Sequence, residues 1–527
     1  MAKQAKVKEE RLEDILFSCR NQLRGRAPLT DKRDLLLTLV FFKFIYERFN
    51  EQRDAILEEN KNDPDFAKLA VNKESFYKRV GVFFLKDEYN WGKLILKEPK
   101  ELAIAFDNAI TKIEENEPNL KNALPKQIFT NAALEPEVLK KVVDEINKIS
   151  NKRFKEKDLI GRVYEYYLQA FAITAKDSKE EGEFYTPHSI VELIASLIEP
   201  FDGTLYDPCC GSGGMFVQSM KLVEAHGGNT KTIKVYGQES EPSTYRLAKM
   251  NLAVRGISYD LGTHASSTFT DDQHKDKKVN YIMANPPFNK KNWWDEKLRD
   301  DVRWKGYDVP PESNANYAWI LHMLNKLEVT KGVAGFLLAN GALDDSDTLE
   351  IRKKLLQNDK VEAIFVLPRE MFYSTDISVT LWILNNNKKG GQYHGRQLRN
   401  RENEVLFVDL RTWNQNIYEK KYVKFSEEQI ADVCKIYHDW QTIDTKERPV
   451  KYAKPELYYS AGLDEIASKN YSLVPSRYIE FVDRDTALDY KTALKTIGAE
   501  TKELIERHKD NQDKLIKAFE TLGYNME

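Results

Sequence analysis

The chain has 527 residues, 41% apolar, 31% charged and 11% aromatic, with 24 glycines and 18 prolines, a composition that excludes collagenous, low-complexity and globally disordered chains. Eighty lysines and arginines against 83 acidic residues give a net charge of -3, so the molecule as a whole lacks the basic footprint of a protein that grips nucleic acid unaided. Its four cysteines and eight histidines contain no C-x-x-C and no H-x-x-x-H spacing, which leaves no recognisable disulfide framework or metal site.

The start, Met1 to Arg11, is rich in lysine and glutamate and lacks the apolar core of a signal peptide. The longest strongly apolar stretch, Leu35 to Phe42, is interrupted by Thr38 and falls far short of the ~18 residues of a membrane span. A cytoplasmic protein with no membrane partner is the expectation. From Glu9 to about Lys157 apolar residues recur at helical spacing, through Leu12, Ile15, Leu16 and Cys19, then Leu35, Leu36, Leu39, Phe42 and Tyr46, with Asp31 placed as an N-cap. Residues 1–157 therefore read as an α-helical domain for packing or docking, without a catalytic cluster.

From Asp158 the texture changes. Short β-rich runs (Thr204 to Tyr206, Ile233 to Gly237, a weaker one near Gly262 to Ser266, Val279 to Ala284, Val333 to Ala339, Val361 to Leu367, Ser378 to Leu384) alternate with amphipathic stretches. The helical candidates are Ser189 to Ile198, Met215 to Glu224, Pro242 to Arg255, Ala315 to Leu327 and Thr348 to Leu356. Such alternation predicts an α/β fold with a doubly wound, mostly parallel sheet of seven strands. Only Pro368 to Ile377 separates the last two runs, too little for a crossover helix, so one strand should be antiparallel. That shape is common among methyltransferases. The sheet domain is expected over residues 158–402, followed by a mixed extension over 403–480. A helical tail over 481–527 places Leu494, Ile497, Leu504, Leu515 and Leu522 in an a/d-like pattern, with Thr501, His508 and Asn511 at intervening seam positions. Intramolecular packing and partner docking are both open to that tail.

The first β-run ends in Asp207-Pro208-Cys209-Cys210-Gly211-Ser212-Gly213-Gly214 and leads straight into a helix. Glycines there let the backbone approach a ligand closely, and the helix start offers free N–H groups. No Lys-Ser or Lys-Thr follows, so this is not a triphosphate-binding P-loop. The next run ends in Gly237-Gln238-Glu239, which places a carboxylate where the two hydroxyls of an adenosine ribose can be held. A glycine turn flanked by carboxylates suits S-adenosylmethionine, whose ammonium and sulfonium are cationic. A nicotinamide dinucleotide is the competing ligand, although G-x-G-x-x-G spacing is absent.

The fourth run ends in Ala284-Asn285-Pro286-Pro287-Phe288. Two prolines fix φ and remove two N–H donors, leaving an acceptor-rich corner. An exocyclic amine on an aromatic ring is a poor nucleophile because its lone pair is delocalised. The Asn285 side-chain oxygen and the Pro286 carbonyl could take its two N–H bonds and stabilise the positive charge that develops on methylation. Phe288 offers a flat face on which an unstacked base can lie. The target nitrogen is inaccessible in a duplex, so the base must flip out. The following Lys290-Lys291-Asn292-Trp293-Trp294 fits either contact with phosphates and a displaced strand or tryptophans buried under a solvated loop. His188 and His264 read as satisfied loop or core residues.

Taken in order, GEFYTP (Gly182 to Pro187), DPCCGSGG (Asp207 to Gly214) and ANPPFN (Ala284 to Asn289) resemble the modification subunit of type I restriction-modification systems, an N6-adenine DNA methyltransferase family. The similarity extends to the helical amino-terminal domain, to Gly332 to Leu343 and to Val361 to Phe372. It implies S-adenosylmethionine as cofactor, with Glu183, Phe184, Tyr185, Thr186 and Pro187 lining its pocket. Asp207, Gly211, Ser212, Gly213 and Gly214 would surround the methionine part, and Glu239 would hold the ribose. The same resemblance puts Asn285, Pro286, Pro287 and Phe288 at the flipped adenine, with Phe372 stacking on its other side. It implies three partners: DNA, a specificity subunit that binds two copies of this chain, and a restriction and translocase subunit. Similar enzymes often carry an acidic residue after strand three, where this chain reads His264-Ala265-Ser266-Ser267; Asp260 is a poorly aligned substitute, and the role stays unassigned. The alternatives are a self-sufficient adenine methyltransferase with its own recognition domain after residue 385, a protein glutamine methyltransferase, and a scaffold that has lost activity.

Overall fold

The computed structural model describes residues 11–154, 159, 162–164, 166–167, 170–171, 186–372, 378–418, 422–442, 451–482 and 490–521. The amino-terminal part is helical, built around Leu29–Glu59, whose residues Leu35 to Phe42 are buried on every side. That all-round burial explains the unbroken apolar run: this is the central helix of its domain. It begins after Pro28, so Asp31 sits inside its first turn and complements the helix dipole there instead of capping it. Helices Pro99–Asn116 and Pro136–Asn147 pack beside it, each opening on a proline whose missing N–H would have been unpaired anyway.

The sheet contains β1 (Gly203–Asp207), β2 (Ile233–Gly237), β3 (Tyr259–Asp260), β4 (Tyr281–Ala284), β5 (Val333–Ala339), β6 (Val361–Val366) and β7 (Val379–Asn385). Their order is β3-β2-β1-β4-β5-β7-β6, and β7 runs antiparallel to both β5 and β6. The doubly wound fold with one reversed strand is therefore present. The weak run near Gly262 to Ser266 is not a strand; the edge strand lies earlier, at Tyr259–Asp260. Gly262 follows it with φ +79°, a left-handed conformation that ends the pairing.

A small hairpin, β8 (Gly391–Tyr393) with β9 (Arg396–Leu398), leads to β10 (Glu404–Asp409). A second hairpin pairs β11 (Ile417–Tyr418) with β12 (Tyr422–Val423), and β13 (Ala453–Lys454) and β14 (Tyr458–Gly462) come last. β10 adds to β6 in parallel, β14 pairs antiparallel with β10 and β13 antiparallel with β14, so the sheet has ten strands and not the expected seven, with β14 a second reversed strand in addition to β7. Residues after 385 thus complete the sheet and do not form a separate recognition domain among the described residues. A buried ion pair locks this extension in place: Arg401 Nε donates to Glu362 Oε1 on β6 at 3.0 Å, with both side chains fully buried. Gln441 Nε2 donates to the same oxygen at 2.9 Å. Removing one partner of such a pair costs about 3–5 kcal/mol, because the other charge is left buried alone.

The helical domain is joined to the sheet domain through helix Pro242–Val254, whose Leu247, Met250 and Val254 belong to the amino-terminal core. Arg33 Nη2 donates to Ser243 Oγ at 3.0 Å along the same seam. At the other end of the chain, helix Tyr490–Thr521 is exposed along its described side chains apart from half-buried Ile516, with Leu494 68%, Ile497 58%, Leu504 62% and Leu515 54% exposed. Leu522 lies outside the described residues. No described helix is long and apolar enough to cross a membrane.

Candidate active site

In the sheet order β1 lies between β2 and β4, and successive strands are added outward on both sides of it. Ligands of open α/β sheets bind at the carboxyl ends of strands around such a reversal. Three strand ends meet there. β1 delivers Asp207, paired in register with Gly237 of β2; Gln238 and Glu239 follow β2, and Asn285 to Phe288 follow β4.

The glycine turn after β1 is held open from behind. Gly211 and Gly213 have φ of +54° and +79°, conformations that other residues adopt only with strain. A Cβ at Gly213 would touch Leu252 at 3.4 Å, whereas one at Gly211 would meet no protein atom within 4 Å. Gly211 N–H donates to Glu239 Oε2 at 2.9 Å and Glu241 N–H donates to Glu239 Oε1 at 2.9 Å. Asn251 Nδ2 donates to the Ser212 carbonyl at 2.7 Å. Gly213 and Gly214 then open helix Gly214–Ala225. The Glu239 carboxylate is thus a brace for the turn; the Ser240 hydroxyl also donates to Oε1, at 3.4 Å, and with roughly four lone-pair directions these three donors leave acceptor capacity for a hydroxyl.

Asp207 is 1% exposed and accepts from Cys209 N–H at 3.0 Å. Burial pushes its carboxyl up to about 7; the Cys209 amide pulls the other way, and the Glu239 charge adds to the rise. Burial likewise pushes the Cys209 and Cys210 thiols well above their ordinary value, so neither is a thiolate nucleophile.

At the corner after β4, Asn285 Nδ2 donates to Thr186 Oγ1 at 2.9 Å, while Asn285 Oδ1 is buried and has no hydrogen-bond partner among the described residues. Buried polar atoms are seldom left so; an acceptor kept unpaired at a strand end is a place for a ligand's donor. Beyond Phe288 the chain turns sharply at Asn289, φ +54°. Asn316 fixes that turn: Asn289 N–H donates to Asn316 Oδ1 at 3.0 Å and Asn316 Nδ2 returns a bond to Asn289 Oδ1 at 2.9 Å.

The family model for N-6 DNA methylases matches residues 155–486, and that for the HsdM N-terminal domain matches residues 12–146. The chain belongs to the N-6 DNA methylase family. Among similar proteins is the type I restriction enzyme MjaIX methylase subunit of Methanocaldococcus jannaschii, 32% identical over 97% of this chain and 91% of its own. The HindI methylase subunit of Haemophilus influenzae is 40% identical over 70% of this chain and 79% of its own. The type I restriction-modification methyltransferase subunit from Streptococcus thermophilus shares the fold, with a TM-score of 0.70 at 21% identity over 88% of this chain and 98% of that one. This methylase is accordingly an N6-adenine DNA methyltransferase subunit of the type I restriction-modification class, and the glutamine-methylating and self-sufficient alternatives are not favoured.

In the methylase the structure brings Asp207, Gly211, Ser212, Gly213, Gly214 and Glu239 together at one strand edge, next to Asn285, Pro286, Pro287 and Phe288. Thr186 joins them through Asn285, and Pro187 caps helix His188–Ile198. Glu183, Phe184 and Tyr185 lie outside the described residues. Phe372 is not across a base-wide gap from Phe288: the rings meet edge to face, 6.2 Å apart at 86°. An edge-to-face pair is a favourable packing arrangement in its own right, so in this structure Phe372 props Phe288.

Trp293 is buried against Phe269 and Trp304 and Trp294 is half-buried, while Lys291 is exposed, so covered tryptophans lie beneath a solvated loop. Asp260 accepts from Gly262 N–H at 3.0 Å and so caps its own turn. The segment that takes the acidic residue's place carries hydroxyls: Ser266 N–H donates to the Glu239 carbonyl at 2.9 Å, and Thr268 Oγ1 donates to the Pro208 carbonyl.

Sequence reasoning missed Gln238, which is fully buried. Its Nε2 donates to Ser266 Oγ at 2.9 Å and to the Asp271 carbonyl at 2.7 Å, and its Oε1 accepts from Gln273 N–H at 3.1 Å. It pins the chain after β3 against the glycine turn. Its place directly after a strand, between a glycine and the expected ribose carboxylate, was the available signal. Asn316 gave none, because its partner Asn289 is 27 residues away.

Proposed function

We propose that this chain transfers the methyl group of S-adenosylmethionine directly to N6 of an adenine flipped out of duplex DNA. The observation that carries the reading is the unpaired, buried Asn285 Oδ1 at the end of β4, beside a glycine turn flanked by two carboxylates. The residues fit the cofactor. Gly211 faces open space, Asp207 is a buried carboxyl that no cation pairs with among the described residues, and Glu239 keeps acceptor capacity. Asp207, with Gly211, Ser212, Gly213 and Gly214, would hold the methionine part, Glu239 the ribose, and the segment Glu183 to Pro187 the pocket wall. When bound, S-adenosylmethionine supplies a methyl group on a positively charged sulfur.

The chain's own residues act on the acceptor. Asn285 Oδ1 and the Pro286 carbonyl each accept one N–H of the adenine amine, drawing its lone pair out of conjugation and stabilising the ammonium that forms, which then loses one proton to solvent to leave the neutral methylamine. Pro286 and Pro287 keep the corner rigid and free of competing donors. Phe288, supported by Phe372, gives the extruded base a stacking face.

Residues 1–157, 158–402, 403–480 and 481–527 act as helical domain, methyltransferase domain, sheet extension and docking segment. The net charge of -3 agrees with delegating the grip on DNA to a specificity subunit. Two copies of this chain bind one such subunit, a restriction and translocase subunit joins for cleavage, and the assembly works in the cytoplasm. The exposed stripe of helix Tyr490–Thr521 is the surface offered to the specificity subunit. Co-expressing the chain with the neighbouring specificity subunit and supplying tritiated S-adenosylmethionine tests the reading. The label is expected in N6-methyladenine of duplex DNA, only with both subunits present; label in protein, in cytosine, or from the chain alone would overturn it.

A further inference from the structure

The loop after the acceptor corner, residues 289–315, leads to helix Asn316–Lys326 and carries the buried Arg303, 7% exposed. Asp301 opens a short helical turn, Val302–Trp304, by accepting from Arg303 N–H at 2.9 Å. Its carboxylate also takes Arg303 Nε at 2.8 Å and Nη2 at 2.7 Å, the two-pronged pairing that suits a planar guanidinium. The other side of the guanidinium reaches out of the loop. Nη1 donates to the Thr268 carbonyl at 3.0 Å and to His322 Nδ1 at 3.2 Å, and Nη2 donates to the Phe269 carbonyl at 2.6 Å. All five guanidinium N–H groups are thereby used.

These bonds lead to both sides of Asp207. A guanidinium never accepts, so Nδ1 is the acceptor nitrogen of His322. Burial, and then the Arg303 charge, push that imidazole well below its ordinary value, so it is neutral and carries its proton on Nε2. Nε2 lies 3.1 Å from the hydroxyl of Tyr206, the residue before Asp207. Thr268 Oγ1 donates to the carbonyl of Pro208, the residue after it. Strand pairing shows why such a tie matters. Among the described residues β1 pairs with β4 only through Leu205 with Tyr281 and Tyr206 with Ile282, while Asp207 is held by β2 and Ala284 by β5. The ladder between β1 and β4 therefore stops short of both Asp207 and Asn285, and the gap that a methyl group has to cross is left to side chains.

We propose that Arg303 is a positioning residue for methyl transfer: by tying the loop that follows residues 285–288 to the chain on either side of Asp207, it fixes the distance between the methyl donor and the target amine. The inference rests on the adenine-methylating reading above. A displacement of about 1 Å between reacting groups can slow a reaction about a hundredfold. Lysine brings a compact ammonium without the fork, so it cannot hold Asp301, two carbonyls and His322 at once.

The test compares Arg303→Lys, Thr268→Val and the double variant with wild type, each in the assembled complex with the specificity subunit. Single-turnover methylation at saturating S-adenosylmethionine and DNA yields a rate constant, which reports geometry, and an amplitude, which reports the folded and active fraction. Cofactor affinity is measured separately by calorimetry. In Arg303→Lys the rate constant should fall about ten- to hundredfold. Cofactor affinity should stay within about threefold of wild type, because the glycine turn keeps its own bonds to Glu239 and Asn251. Thr268→Val loses only the link to Pro208 and should be about three- to tenfold slower. The double variant should be little slower than Arg303→Lys, since groups in one network are not additive. Should Arg303→Lys not fold, Thr268→Val decides alone. An unchanged rate constant in either variant, a loss confined to the amplitude, a fall in cofactor affinity that matches the fall in rate, or losses that multiply in the double variant would each overturn the inference. A wild-type complex that transfers no methyl to adenine would instead bring down the underlying reading.

Discussion

Replacing Asn285 with alanine is expected to lower methyl transfer by at least about a hundredfold, the scale on which removing one preorganised polar group from a reacting centre is felt. The variant should keep its fold, because the residue is only partly buried and, among the described residues, its side chain bonds only to Thr186. Cofactor affinity should stay within about threefold, since no residue of the glycine turn bonds to Asn285 and the lost interaction belongs to the transition state. Single-turnover rates and calorimetric affinities on the same preparation separate the two effects. Transfer at an undiminished rate would remove Asn285 from the mechanism; a parallel loss of binding would move it to the cofactor site.

The second large effect concerns Asp207 and pH. Burial raises its carboxyl to about 7, so in the free protein it is mostly neutral at pH 6 and mostly ionised at pH 8. The sign for folding follows: the neutral form is the one burial tolerates, so the contribution to stability is fully present below the unfolded value of about 4 and is lost as pH rises through 7. Cofactor binding has the opposite preference, because a cationic ammonium favours the carboxylate. Apparent affinity for S-adenosylmethionine should therefore weaken by nearly tenfold per unit as pH falls below about 7 and level off above 8. Binding near pH 6.5 should release a proton, which appears as a buffer-dependent heat. Asp207→Asn should bind about a hundredfold more weakly at pH 8 and show no such slope. A flat affinity between pH 6 and 8 in the wild-type chain would mean that Asp207 does not face the cofactor's charge.

The parts of this methylase that could be read from sequence are those whose physics is local. The glycine turn, the prolines after Asn285 and the alternation of apolar strands with amphipathic helices each declare themselves within a dozen residues, and helix Pro242–Val254 starts on its expected residue. The reversed strand was legible from the shortness of Pro368 to Ile377. What stayed hidden depends on contacts distant in sequence. β10, β14 and β13 extend the sheet through pairing with β6 and with one another, and Arg401 is buried against Glu362, 39 residues away, a pairing that no local pattern announces. Phe372 was placed across the base from Phe288, yet its ring turns edge-on to it; a sequence states that two aromatics are near a site and not the angle between them. The Thr186 to Asn285 bond spans 99 residues, so a hydroxyl in a cofactor motif and an amide in a substrate motif looked like members of separate sites.

A structure of the complete complex on DNA, with an unreactive S-adenosylmethionine analogue bound and the target adenine extruded, puts the account to its most direct measurement. The target N6 should lie within hydrogen-bond reach, about 2.7–3.2 Å, of both Asn285 Oδ1 and the Pro286 carbonyl, with the purine stacked on Phe288. An extruded adenine whose amine meets neither oxygen, or an Asn285 amide turned so that Nδ2 faces the base, would contradict it.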